Sequence, residues 1–116
     1  MKLVRYNFIG EDFTDRKEWL DACANLSKQF GKLGSTSYIR WDSDGRDGSA
    51  LFKLRLDEGY VSVDCAFTQT KSDSQDRYCI SVNIGSIIDY DNLELMPVPE
   101  KDLEELLLNA GLKPIE

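Results

Sequence analysis

The feature that most constrains the fold is the stretch 50–84, where apolar and polar side chains alternate along three short segments. These segments are 50–56, 60–67 and 78–84, and a period of two is typical of a β-strand with one buried face. Asp57–Gly59 supplies a tight turn, and the run 68–77 has no apolar residue, which predicts a solvated loop. Connections this short cannot carry a crossover helix. We therefore expect three antiparallel neighbours, covered on one face and open to water on the other.

A strand and a helix are predicted before this meander. Residues 3–9 alternate as a strand, and Thr14 or Asp15 is the expected N-cap of a helix that runs to about Phe30. Gly31 and Gly34 are expected to stop the helix. Ser35 to Trp41 then reads as a further strand. The helix carries one apolar stripe, which should cover the meander: Trp19, Cys23, Leu26, Phe30 and Leu33.

A second helix is predicted after the meander. Residues 93–96 form a short edge strand or an extended approach, and Pro99 suits the first turn of a helix that ends at Gly111. The order β-α-β-β-β-β-(β)-α predicts a single α+β domain over 1–116. We expect two layers: a mainly antiparallel sheet of about five strands, with two helices on one face. A parallel pairing of the first strand remains open, because a helix follows it.

The absence of histidine narrows the function classes. It excludes Ser-His-Asp and Cys-His catalysis, histidine metal sites and histidine pH switches. The three cysteines are odd in number and have no Cys-x-x-Cys spacing. Cys23 and Cys65 are predicted core residues, whereas Cys79 falls on a polar face and is the one nucleophile that can be named. We therefore expect no enzyme and no cofactor.

Charge and hydropathy bear on location and partners. No apolar run reaches the roughly 20 residues that span a bilayer, and the N-terminus lacks a signal-peptide core, which favours the cytoplasm. The first 58 residues carry ten basic and ten acidic side chains, so the net charge of −7 belongs entirely to the rest. This asymmetry argues against direct binding of nucleic acid or membrane through the C-terminal half. It is compatible with a basic protein partner, or with solubility alone.

An acidic, glycine-rich loop lies between Trp41 and Ala50. Its carboxylates are the hard oxygen ligands that Ca²⁺ prefers. The calcium-loop pattern is incomplete, however, since the position twelve from Asp42 is Lys53. The alternative interpretation, a hairpin connection rich in Asp and Gly, is the better supported one.

The sequence thus predicts, by exclusion, a small acidic protein that binds and neutralises a protein partner, monomeric or as a small homo-oligomer. Toxin-neutralising immunity proteins and phage-encoded inhibitors share this physical type, often against basic nucleases. One alternative is an adaptor or oligomerising subunit that uses its open sheet face, where Ile9 and Leu51 interrupt polar surroundings. Another is a small-ligand or carboxylate- or thiol-based enzyme domain. The candidate partner-binding residues occupy two loops: Asp42, Asp44 and Asp47 in the first, and Asp89, Tyr90, Asp91 and Glu94 in the second.

Overall fold

The computed structural model describes residues 5–35, 37–71, 74–87 and 94–115. Within these ranges lie two helices and a six-stranded sheet, so the sheet has one strand more than expected. The strand order is β2-β3-β4-β5-β1-β6, and every neighbouring pair is antiparallel. The predicted α+β architecture, with both helices on one face, is confirmed. The elements are β1 (Arg5–Ile9), α1 (Arg16–Leu33), β2 (Arg40–Trp41), β3 (Gly48–Leu56), β4 (Gly59–Thr70), β5 (Arg77–Ser86), α2 (Glu100–Asn109) and β6 (Lys113–Pro114).

The central meander forms as the alternation predicts. In β3, β4 and β5 every second side chain is buried, and the partners across each ladder bury the same face. Gly59 leaves the β3–β4 turn with φ of 142°, a conformation that glycine adopts without steric cost. Because successive strand residues point to opposite faces, the apolar side chains at alternate positions of the meander reach the helical layer, whereas Leu51 points to the other face.

Helix α1 covers this apolar face. Asp15 is its N-cap, and the Asp15 carboxylate accepts a hydrogen bond of 3.0 Å from the backbone N–H of Lys17. Trp19 and Phe30 are fully buried, and the indole Nε1–H of Trp19 donates to the carbonyl of Cys79 at 3.0 Å. The predicted stripe is thus core, with Leu33 only partly buried against it.

The end of α1 differs from the prediction. Gly31 lies inside the helix, which continues to Leu33 and is capped at Gly34. Space around Gly31 is open, whereas a Cβ at Gly34 would overlap the carbonyl oxygen of Lys53. Gly34 is therefore required by the close approach of helix and sheet, and Gly31 is not.

The polar run 68–77 was also predicted wrongly as all loop. Strand β4 extends to Thr70 and pairs with β5 from Arg77 onward. Backbone ladder bonds need no apolar side chains, and Gln69 N–H donates to the Asp47 carboxylate at 3.0 Å.

The edges of the sheet differ from the prediction in the described residues: one predicted strand is shorter, one does not form, and one strand was not predicted. Of the described residues in the segment 35–41, Arg40 and Trp41 alone pair as a strand. Residues 94–96 form no strand, and Pro97 makes a single bridge to Arg55. The extended approach to the second helix is therefore the correct alternative for these residues. Leu93 lies outside the described residues. Strand β1 pairs antiparallel with β5, which excludes the parallel alternative. The C-terminal segment adds β6 beside β1, which no pattern predicted.

Helix α2 packs Leu103 and Leu107 into the core. Pro99 occupies the N-cap position rather than the first turn. At the other end Gly111, with φ of 75°, permits two reversed bonds: Leu112 N–H to Leu107 O and Gly111 N–H to Leu108 O, both 3.0 Å. This Schellman arrangement buries Leu112, as expected. Neither helix of the described chain is long and apolar enough to cross a membrane.

Candidate functional site

Among the described residues, no helix covers the sheet face opposite α1 and α2. A row of small side chains crosses the centre of this face. Ser49 of β3 lies opposite Ala66 of β4, which lies opposite Ser81 of β5. Ile9 of β1 faces Ser81 from the other side. Because Ser and Ala are short, the middle of this face is lower than its borders.

Larger side chains border this row and form a groove of about 800 Å³. Tyr38 and Arg40, from the segment before β3, line one side, and Ile115, after β6, lines the other. Asn7 and Asn83, which are opposite each other in the ladder, contribute amides to the lining. We call this depression and its borders the open-face groove.

Four large apolar side chains are exposed on or beside the open-face groove. The exposed fractions are 84% for Tyr38, 52% for Ile115, 47% for Leu51 and 43% for Ile9. The prediction that Leu51 and Ile9 interrupt a polar face is confirmed. Apolar side chains surrounded by amides and hydroxyls are typical of surfaces that contact another protein.

The charges on the open face are mostly positive. Arg40, Lys53, Arg55 and Lys113 occupy strand positions on this face, and Asp64 is the acidic residue in the lining of the groove. The guanidinium of Arg55 lies 5.9 Å from the ring centroid of Tyr60, within the range of a cation–π contact. The open face is therefore locally cationic in a protein of net charge −7.

The loop between β2 and β3 is a structural hairpin connection. Asp42 N–H donates to Asp47 O at 2.8 Å, and the Asp42 carboxylate accepts from Arg46 N–H at 2.9 Å. Gly45 adopts φ of 68° and donates to Asp42 O at 3.0 Å. Two of the three predicted binding carboxylates, Asp42 and Asp47, thus hold backbone groups, while Asp44 is exposed in the loop. Among the described residues no group of three or more potential metal ligands is assembled.

Of the predicted binding residues in the second loop, the structure describes Glu94, which it places far from the first loop. Asp89, Tyr90 and Asp91 lie outside the described residues, and Glu94 is exposed. Glu94 precedes the contact between Pro97 and Arg55, near the end of β3 that is remote from the hairpin loop. At about 3.3 Å per residue, the seven steps from Gly48 to Arg55 separate the two ends by roughly 23 Å.

The three thiols are free, and their pKa values are raised. Burial raises the pKa of Cys23 and of Cys65 to about 12. For Cys79, desolvation and then the Asp12 carboxylate, whose Oδ1 lies 2.9 Å from Sγ, raise the pKa to about 11. A catalytic thiol needs a lowered pKa, so this environment gives no support to Cys79 as a nucleophile.

The alternation of apolar and polar residues along the strands identified two residues of the groove region, Ile9 and Leu51. It missed the contributions of Tyr38, Arg40 and Ile115, since no local pattern indicates which segments flank an open sheet face. Comparison with known proteins gives no match: no family model, curated protein or solved structure is significantly similar to this chain.

Proposed function

We propose that this chain is a non-catalytic binding domain that receives a protein partner on its open sheet face and thereby neutralises or regulates it. The observation that carries the proposal is the open-face groove, with exposed Tyr38, Leu51 and Ile115 in its lining and Ile9 beside it. A monomeric surface rarely leaves such side chains grouped in one depression unless something contacts them.

The size of the face supports a protein rather than a small molecule. Six strands spaced about 4.8 Å apart give a width of roughly 24 Å. With about 20 Å along β3, the projected area is at most roughly 500 Å², because β2 and β6 are two residues long. Side-chain relief brings this area closer to the ~800 Å² per partner of an ordinary protein complex.

The proposal keeps the neutralising role expected from the sequence, without a cofactor. Exposed carboxylates at both ends of β3, among them Asp44 and Glu94, would steer a partner with basic regions toward the domain. A cytoplasmic location belongs to the same proposal, since three free thiols suit a reducing compartment.

The test fills the groove with a bulky side chain. Ala66→Trp places an indole on the floor of the groove, and Leu108→Trp, on the exposed surface of α2, is the matched control. Partners captured from host lysate by the wild-type protein are identified, purified and titrated by calorimetry. We expect one-to-one binding by the wild type and Leu108→Trp, and at least tenfold weaker binding by Ala66→Trp. Equal binding by both variants, or no captured protein, would refute the proposal.

A second candidate is self-association through the same face, which the exposure of Ile9 and Leu51 favours. Light scattering over a concentration series distinguishes the two functions. A mass that doubles with concentration, and that Ala66→Trp returns to the monomer value, would identify an oligomerising subunit.

A further inference from the structure

We propose that the partner presents an acidic segment to the open sheet face, and that this segment lies along β3, from Arg40 at the border of the open-face groove to Lys53 and Arg55 beyond it. This inference rests on the proposed function and specifies the chemistry of the partner. It concerns a surface different from the acidic loops, which the sequence analysis associated with a basic partner.

The first argument is the separation of charge. Among the side chains that the structure describes on the open face, Arg40, Lys53, Arg55 and Lys113 against Asp64 sum to +3, and Arg77 is paired with Asp12 at 3.3 Å. Since the whole chain carries −7, all other residues together carry −10. An anionic segment is therefore repelled by most of the molecule and attracted by this one face, which selects the face by electrostatics alone.

The second argument is the spacing of the cations along β3. Lys53 and Arg55 are two residues apart, or about 7 Å, and project to the same face. Arg40 is paired with Ser49, four residues before Lys53, which places it roughly 13 Å further along the strand. Carboxylates on alternate residues of an extended segment match the shorter spacing, and Leu51 lies between Arg40 and Lys53 to receive an apolar side chain.

The third argument concerns what else an exposed cationic face could contact. A second copy of the chain, stacked through the same face, would bring the cations of β3 close to their own copies, with few carboxylates to compensate. A nucleic acid carries a phosphate at every nucleotide, and this continuous charge would extend beyond the few cations of β3 to a molecule that is otherwise strongly anionic. An acidic protein segment has a lower charge density and can supply apolar side chains as well.

The experiment uses defined probes on the full chain. A decaglutamate peptide, a decalysine peptide and a ten-nucleotide thymidine strand are titrated separately at low salt, and backbone amide shifts are followed by NMR. We expect decaglutamate alone to shift residues of β2, β3 and β4 on the open face, and added salt to reverse the shifts.

Charge-reversal variants identify the cations that are responsible. Lys53→Glu should weaken decaglutamate binding about fivefold or more, whereas Lys28→Glu, exposed on α1, should leave it within twofold. Binding of decalysine or the oligonucleotide to this face, no binding of decaglutamate, or equal effects of the two variants would overturn the inference. The proposed function fails separately, through the Ala66→Trp comparison with a captured partner.

Discussion

The two glycines at the end of α1 give a sharp test of the packing between helix and sheet. At Gly34 an added Cβ would overlap the Lys53 carbonyl oxygen and lie 2.8 Å from Cδ2 of Leu54. At Gly31, one turn earlier, an added Cβ would meet no described atom within 4 Å beyond its own stretch of helix. The substitution to alanine is chemically the same at both positions. Its effect on the free energy of unfolding should nevertheless have opposite signs.

The magnitude follows from what has to move. The Lys53 carbonyl accepts from Ser35 N–H at 3.0 Å, and Lys53 N–H donates to Ser35 Oγ at 2.9 Å. Relieving the overlap therefore displaces β3 from Ser35, and we expect Gly34→Ala to lower the free energy of unfolding by about 2–4 kcal/mol, from overpacking plus weakened bonds. Gly31→Ala should raise it by about 0.5–1 kcal/mol, since alanine restricts the unfolded chain and favours the helix.

Urea unfolding followed by circular dichroism measures both variants against the wild type. The slope with denaturant should stay unchanged, so that the shift in midpoint reports stability directly. A Gly34→Ala variant within about 0.5 kcal/mol of the wild type would refute the close approach, because overpacking of a well-packed contact costs more than that. A destabilised Gly31→Ala would contradict the continuation of the helix through this residue.

Two further predictions concern single contacts. Asp47→Asn should destabilise the protein by about 1 kcal/mol in urea unfolding, because it weakens the hydrogen bond from Gln69 N–H. The control Asp44→Asn should have no measurable effect. Equal effects of the two variants would contradict a structural role for Asp47. The Cys79 thiol, with its pKa raised from 9.0 to about 11, should react with iodoacetamide about 100-fold more slowly at pH 8 than a thiol of ordinary pKa, and the rate should rise tenfold per pH unit up to about 11. Asp12→Asn removes the carboxylate beside Sγ, which should lower the pKa of Cys79 and accelerate its labelling. Labelling of the wild-type protein at the rate of a free thiol would contradict the contact between Cys79 and Asp12.

The sequence predicted those features that depend on neighbouring residues. Alternation in β3, β4 and β5 identified the buried faces, since side-chain direction in a strand reverses at every residue. The spacing of Trp19 and Phe30 identified the covering helix, and the Asp15 cap and Gly111 terminus follow from local hydrogen bonding. The exposure of Leu51 on the uncovered face was accessible by the same reasoning.

Tertiary structure decided what depends on residues distant in the chain. Gly31 and Gly34 are equivalent as local signals, and only the Lys53 carbonyl distinguishes them. Strand β6 forms because β1 offers it unpaired backbone groups, a condition that the sequence around Pro114 does not encode. The charges follow the same rule. By sequence the excess acid belongs to the C-terminal half, but the fold places four cations from three strands on one sheet face. Pairing between strands, rather than order along the chain, determines which side chains share a surface.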